Sequence, residues 1–85
     1  MSELLLSNIE SGTTAEEIQR FLVKYGFPPF DEIQHLLDDP SRFAVKLSFR
    51  SVHPSVLEPL RNRIHGIHWK KRKIAAQVLT TQFYR

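Results

Sequence analysis

The residues with the clearest chemistry in this sequence are four consecutive bases, Lys70, Lys71, Arg72 and Lys73. Such a run can neutralise several phosphates of a nucleic acid, because each cation that contacts a phosphate releases a counterion from the backbone. A hydrated basic loop without any partner is the alternative explanation. The run makes an anionic partner the first hypothesis.

Charge is divided unevenly along the chain. The 85 residues carry 12 Lys and Arg against 9 Asp and Glu, a formal net charge of +3. Eight of the acids precede Arg42, whereas no acid follows Pro59. This asymmetry indicates that an anionic partner would bind the second half of the chain.

Other residue types that support catalysis or metal binding are poorly arranged. His65 and His68 are three residues apart, but Gly66 between them favours a helix end, and no carboxylate or thiol is near in sequence. Ser, His and Asp all occur, yet nothing places a serine on the strand-to-helix turn of a hydrolase nucleophile. We therefore expect no catalysis, no metal and no cofactor.

Length and composition are those of one small globular domain. The chain is 41% hydrophobic and 25% charged, and its lack of cysteine excludes disulfides, thiolate zinc sites and thiol nucleophiles. Its apolar runs end after three residues, far below the roughly 20 that cross a bilayer. We expect a single cytoplasmic domain over residues 1–85, with a core from about residue 3 to 80 and a tail at 81–85.

The first part of the chain predicts a strand and a helix. The short apolar segment 4–9 ends at turn residues and is typical of a buried strand. Thr14 and Glu17 fit a capping box, and Gly26 fits the left-handed end of the same helix. Between them, residues three and four apart form one apolar stripe: Ile18, Phe21, Leu22 and Tyr25.

The middle of the chain predicts two strands. Segment 32–37 is the first, and segment 38–41 is a turn in which Pro40 presets the backbone angle. Segment 42–49 alternates cleanly and predicts a half-buried strand. Its apolar face holds Phe43, Val45, Leu47 and Phe49, and its other face holds Arg42, Ala44, Lys46 and Ser48.

A second helix and a last strand complete the pattern. Ser55 and Glu58 fit a second capping box, and Pro59 is expected to strain or shorten the first turn after it. After Gly66 and a basic loop, segment 73–78 alternates as a strand. The order β-α-β-β-α-β predicts an α+β, ferredoxin-like fold, with a four-stranded antiparallel sheet and both helices on one face.

Three segments resemble the RNA recognition motif (RRM), a family of RNA-binding domains with this element order. Residues 4–9, Leu-Leu-Leu-Ser-Asn-Ile, resemble its six-residue signature with only the aromatic missing. The family's first helix, with a threonine, paired acids and an aliphatic-aromatic run into Tyr-Gly, is matched from Thr14 to Gly26. As in the family, a helix that ends at a glycine is followed by a basic hairpin and then by an aliphatic strand. The chain resembles the small stand-alone RRM domains found in bacteria.

The family's eight-residue signature is only partly matched by residues 42–49. Arg42, Leu47 and Phe49 agree, but the open-face aromatic positions hold Ala44 and Lys46. A frame shifted by one residue recovers two letters but buries Lys46, and burying an unpaired ammonium costs several kcal/mol. The frame that begins at Arg42 is therefore preferred.

The resemblance implies that the chain binds single-stranded RNA through the open face and basic edge of the sheet. Exposed rings of the family stack on bases, each worth about 1–3 kcal/mol, and their positions here hold Leu5, Ala44 and Lys46. We therefore expect weak, salt-sensitive binding. The predicted RNA-binding residues are Leu5, Asn8, Arg42, Ala44, Lys46, Trp69, Lys70, Lys71, Arg72, Lys73 and Gln77.

Alternatives to this interpretation share the fold. Leu5 and Ala44 also suit a protein contact, so an RRM-like protein-interaction module that does not bind RNA is the main alternative. Small acyl-phosphate hydrolases have the same layout, but the glycine-rich phosphate loop they need is absent from segment 9–12. Phe83 and Tyr84 in the tail could add stacking on a base if the terminus folds over the sheet, and a frayed terminus is the alternative.

Overall fold

The computed structural model describes residues 2–39 and 41–79. The predicted element order is confirmed within these ranges, and the predicted basic loop contains an added two-stranded hairpin. The tail at 81–85, with Phe83 and Tyr84, lies outside the described residues. The elements are β1 (Ser2–Ser7), α1 (Ala15–Lys24), β2 (Glu32–Asp38), β3 (Phe43–Phe49), α2 (Pro54–Ile64), β4 (His68–Trp69), β5 (Arg72–Lys73) and β6 (Ala75–Leu79).

Four strands form one antiparallel sheet in the order β2-β3-β1-β6. At its centre, Leu5 pairs with Lys46 of β3 and with Gln77 of β6, and Lys46 pairs in turn with Gln34 of β2. Side chains directly opposite each other on paired strands point to the same face. These four residues therefore form a row across one face, which we call the central row.

The hydrophobic core lies between the other face of the sheet and the two helices. It joins alternate residues of β1 and β3 to the apolar stripes of α1 and α2. The frame that begins at Arg42 is confirmed, because four inward residues of β3 are at most 3% exposed: Phe43, Val45, Leu47 and Phe49. The face opposite the helices is the open face.

Helix α1 begins and ends where the sequence predicts. Thr14 Oγ1 accepts a hydrogen bond from the Glu17 backbone N–H at 3.2 Å, and Glu17 Oε1 accepts one from the Thr14 N–H at 2.9 Å. Gly26 closes the helix with a φ of +97°, and a β-carbon there would lie 3.0 Å from the guanidinium of Arg63. These contacts define where α1 begins and ends. Neither helix has the length and apolar character required to cross a membrane.

Helix α2 begins two residues earlier than predicted. His53 is its N-cap, with Nδ1 accepting from the Ser55 backbone N–H at 3.1 Å, and Pro54 is its first residue. The predicted capping box of Ser55 and Glu58 is therefore wrong. Proline at the first helical position has a preset φ and an amide that needs no partner, so it favours the earlier start. Pro59 lies inside the helix, where it removes one backbone hydrogen bond.

The outer edge of β6 is covered by side chains of α2. Arg61 Nε donates to the Ala76 carbonyl at 2.8 Å, and His65 Nδ1 accepts from the Ala76 backbone N–H at 3.0 Å. Since an edge strand with bare backbone groups invites pairing with another chain, these contacts protect part of this edge. They also bring Arg61 and His65 beside the open face.

Replacing Phe49, which is fully buried, tests the position of the core. We expect Phe49→Ala to lower the free energy of unfolding by about 3–5 kcal/mol, because it leaves a cavity. Urea denaturation measures the loss, and Val56→Ala, at a residue that is 49% exposed on α2, is the matched control with a change within about 0.5 kcal/mol.

A loss below about 1 kcal/mol for Phe49→Ala would place the ring outside the core. If the alanine variant does not fold, Phe49→Leu provides the measurement, with an expected loss between those of the other two variants.

Candidate nucleic-acid interface

The open face is largely polar and has shallow relief. The ends of the central row, Gln34 and Gln77, are exposed, while Leu5 and Lys46 at its middle are half-buried. The neighbouring row pairs Leu37, which is 37% exposed, with three small residues, Ala44, Ser7 and Ala75, of which Ala44 is only 4% exposed. Among the described residues, no aromatic side chain belongs to either row, so the face forms a shallow trough.

A cleft lies at each end of this trough. One, of about 200 Å³, is lined by Arg61, His65 and Gln77, and the other, of about 250 Å³, is lined by Asn8 and Arg42. Ser7 lines both clefts, so they adjoin across the sheet. The trough therefore runs between two guanidinium groups, one on the β2–β3 loop and one on α2.

Arg61 and His65 are candidate interface residues that the sequence analysis did not identify, since both line the cleft beside Gln77. Because His65 Nδ1 accepts the Ala76 N–H, the neutral ring carries its proton on Nε2 and keeps one donor for a ligand. The sequence signal for these two residues is their spacing of one helical turn, beside the apolar stripe of α2. Their contacts with Ala76, however, arise only in the folded chain.

Lys46 already has an anionic partner on the open face. Its Nζ lies 3.6 Å from Glu3 Oε2, and the two side chains are 28% and 20% exposed. Partly exposed pairs of this kind contribute little to stability, about 0–1 kcal/mol. A phosphate that contacts Lys46 must nevertheless compete with Glu3.

The predicted basic run forms the turn and second strand of the β4–β5 hairpin. Lys70 and Lys71 have φ values of +53° and +70°, so both turn residues are left-handed, as in a type I′ turn. Such turns favour Asn-Gly, and a left-handed conformation costs other residues about 1–2 kcal/mol each. The two ammonium groups are thus presented by a strained backbone.

Lys70 is tied to the start of α1. Its Nζ lies 3.1 Å from Glu17 Oε1 and 3.4 Å from Thr13 Oγ1. The pKa of Glu17 is below its ordinary value of 4.5, first because the carboxylate accepts the Thr14 N–H and next because of Lys70. One carboxylate therefore serves both the capping box of α1 and the hairpin.

Asn8 and Arg72 join the end of β1 to the same hairpin. Asn8 has a φ of +59°, a left-handed conformation that asparagine tolerates better than most residues. Its Nδ2 donates to the Lys73 carbonyl at 2.8 Å, and its Oδ1 accepts from Arg72 Nη1 at 3.2 Å. Arg72 Nε also lies 4.0 Å from Glu10. The RNA contacts predicted for Asn8 and Arg72 would compete with these bonds.

Trp69 lies on the helix side of the molecule. Its ring stacks on Phe21 of α1, with centroids 4.2 Å apart and an angle of 18° between the planes. The structure therefore brings Trp69 together with α1, away from the central row. Leu5, Ala44, Lys46 and Gln77 do come together on the open face, with Arg42 at its margin.

Of the bases predicted to bind RNA, three are exposed: Arg42, Lys71 and Lys73. Within residues 2–39 and 41–79, no carboxylate pairs with any of them. The same part of the chain contains no group of three or more side chains suited to a metal ion. The charge available to an anionic ligand is therefore smaller than the basic run suggests.

Solved structures resemble this chain in fold, although no protein family description and no curated protein matches its sequence. The RRM3 domain of Pes4 superposes with a TM-score of 0.77 at 16% identity, over 100% of this chain and 99% of that one. The RRM3 domain of Mip6 gives 0.72 at 14% identity, over 88% of each chain. The RRM of Rna15 with bound RNA (GU) gives 0.62 at 16% identity, over 88% and 79%. The chain thus has the RRM fold.

The carboxylate shared by the capping box and the hairpin predicts a pH-dependent contribution to stability. Because the pKa of Glu17 is lowered in the folded chain, its carboxylate stabilises the fold above the unfolded value near 4.5. This contribution is lost as the pH falls through the lower, folded value. We expect Glu17→Gln to be less stable than the parent chain at neutral pH, with melting temperatures that converge in acid.

The matched variant is Lys70→Gln, followed by NMR titration of the Glu17 carboxyl carbon. It should raise the pKa of Glu17 only part of the way to 4.5, since the Thr14 N–H bond remains. A pKa of 4.5 or above in the parent chain would contradict the shared role of this carboxylate.

Proposed function

We propose that this chain is a non-catalytic RNA-binding domain that contacts single-stranded RNA through the open face and its basic margin. The observation that carries the proposal is the central row, Gln34, Lys46, Leu5 and Gln77, which no helix of the described ranges covers. The RRM fold and the RNA bound to the Rna15 domain support the same choice of ligand.

The open face offers groups that suit unpaired bases. The side-chain amides of Gln34 and Gln77 are exposed, and each has both donors and acceptors for the edge of a base. Leu5, Ser7 and Ala75 are half-buried and provide a surface on which a base can lie, without the π surface of a ring. Recognition by this face is therefore expected to tolerate many sequences.

The charges available for phosphates predict the salt dependence of binding. Arg42, Lys71 and Lys73 are exposed and have no carboxylate partner among the described residues. Three phosphate contacts to a single strand give a slope of about −2 for log K against log salt. The absence of two or three stacked bases lowers affinity by about 100- to 10,000-fold relative to an aromatic face.

A protein-interaction module without RNA is the second candidate. The ion pair between Lys46 and Glu3 favours it, because the one cation of the central row is already neutralised. Leu5 at the centre of that row is also suited to an apolar contact. Both candidates use the same face, so only a binding experiment distinguishes them.

Titration with a mixed-sequence RNA oligomer, followed by amide chemical shifts at increasing salt, tests the proposal. At low salt we expect saturable shifts at Ala44, Lys46 and Gln77, because their backbone lies under the bound strand. The apparent affinity should fall with the slope of about −2. No shift at these amides at low salt would refute RNA binding by the sheet.

A set of matched charge variants identifies the phosphate contacts. Lys71→Gln and Lys73→Gln should each make the salt slope shallower by about 0.7, since each removes one phosphate contact. Arg63→Gln, at an exposed base of α2 that contacts α1 away from the open face, is the control and should leave the slope unchanged. An unchanged slope in both hairpin variants would exclude the hairpin from the interface.

A further inference from the structure

A cleft lies on the helix side of the molecule, between α1 and the β4–β5 hairpin. Its volume is about 430 Å³. Aromatic and cationic side chains line it together. The aromatic residues are Phe21, Tyr25 and Trp69, and the principal cations are Arg20, Lys24 and Lys70.

The aromatic side of the cleft is rigid. Phe21 is only 7% exposed, and it packs against Tyr25 with centroids 5.2 Å apart and against Trp69 with centroids 4.2 Å apart. Because Phe21 belongs to the core, it holds the two half-buried outer rings in place. The cleft thus presents flat π surface that needs no rearrangement before a ligand binds.

The cations lie close to these rings. Lys70 Nζ is 5.8 Å from the centroid of Trp69, and Lys24 Nζ is 5.9 Å from the centroid of Tyr25. Arg20 lies on the same wall, but it pairs with Glu16 at 3.2 Å, and Lys70 pairs with Glu17. Lys24 has no carboxylate partner among the described residues, so the three cations outnumber their two carboxylates and the cleft favours an anion.

The hairpin turn beside the cleft has a strained backbone. Lys70 and Lys71 both adopt left-handed backbone conformations, which glycine or asparagine adopts with less strain. Lysine gives the turn no conformational advantage, whereas its ammonium group reaches the wall of the cleft at Lys70. Strain that accompanies a functional group is typical of binding sites.

We propose that this cleft binds a nucleotide, with the base against Trp69 or Tyr25 and the phosphate held by Lys24, Arg20 and Lys70. Nucleotides combine a flat π surface with a dense negative charge, which matches the two kinds of side chain in the cleft. The volume lies within the range of small-molecule sites, about 300–1,000 Å³. A free mononucleotide and the 5′-phosphorylated end of an RNA share this chemistry.

Trp69 is the only tryptophan of the chain, so tryptophan fluorescence measures binding in this cleft. Titration with adenosine 5′-monophosphate should quench its fluorescence saturably, with a midpoint at or below about 1 mM, and adenosine should bind more weakly. Lys24→Gln should raise the midpoint several-fold. Arg50→Gln, at an exposed base that pairs with Glu32 and does not line this cleft, is the matched control and should leave the midpoint unchanged.

The outcomes separate this site from the proposed function. An RNA oligomer with a 5′-phosphate should shift the Trp69 indole N–H, and the same oligomer without it should not if the cleft binds strand ends. Binding of the mononucleotide alone would identify the free ligand. Either result supports the cleft site. The amide shifts of Ala44, Lys46 and Gln77 test the open face separately, so the cleft site does not depend on them.

Two results would overturn the site. One is the lack of saturable quenching by the mononucleotide up to about 10 mM, together with no indole shift by either RNA. The other is tighter binding of an acidic, tyrosine-containing peptide than of the mononucleotide, with the same sensitivity to Lys24→Gln, which would assign the cleft to a protein partner. Neither result would affect RNA binding by the open face.

Discussion

The position of one ammonium group determines which face of the sheet the helices cover. An unpaired lysine cannot be buried in an apolar core without a cost of several kcal/mol, so Lys46 must point away from the helices. Strict alternation then places the four apolar side chains of β3 inside, where both rings are at most 3% exposed. The same constraint leaves the open face without aromatic side chains on this strand.

The consequence is a division of chemistry between two sides of the molecule. The open face carries amides, small side chains and one cation that is paired with Glu3. The accessible aromatic surface lies instead where the hairpin meets α1, on the half-buried rings of Tyr25 and Trp69 that pack against Phe21. Ligand binding by the open face depends on charge and hydrogen bonds, whereas stacking is available only on the helix side of the described chain.

The hairpin also divides the basic run into structural and exposed members. Lys70 shares the carboxylate of Glu17 with the cap of α1, and Arg72 shares Asn8 with the end of β1. Two of four consecutive bases therefore hold the hairpin on the domain, and Lys71 and Lys73 are left exposed to solvent. A count of charges in the sequence overestimates what a ligand can reach.

Local signals predicted some elements well, and tertiary contacts limited the rest. The ends of α1 and the faces of β3 follow from a capping box, a glycine and an alternation that neighbouring residues specify. The predicted start of α2 was wrong, because a histidine cap followed by proline is a less common signal than Ser55 with Glu58. The type I′ turn could not be predicted from the sequence, because two consecutive lysines do not indicate one. Arg61 and His65 reach Ala76 only through the fold.

Restoring a ring to the centre of the open face tests most directly whether RNA lies there. Leu5→Phe adds the stacking surface that the central row lacks, and the RNA affinity measured by fluorescence anisotropy should rise about 5- to 150-fold over the parent chain. Val56→Phe, which adds the same ring at an exposed position of α2, should leave it unchanged. An affinity for Leu5→Phe equal to or below that of the parent would contradict the assignment of the open face as the RNA-binding surface.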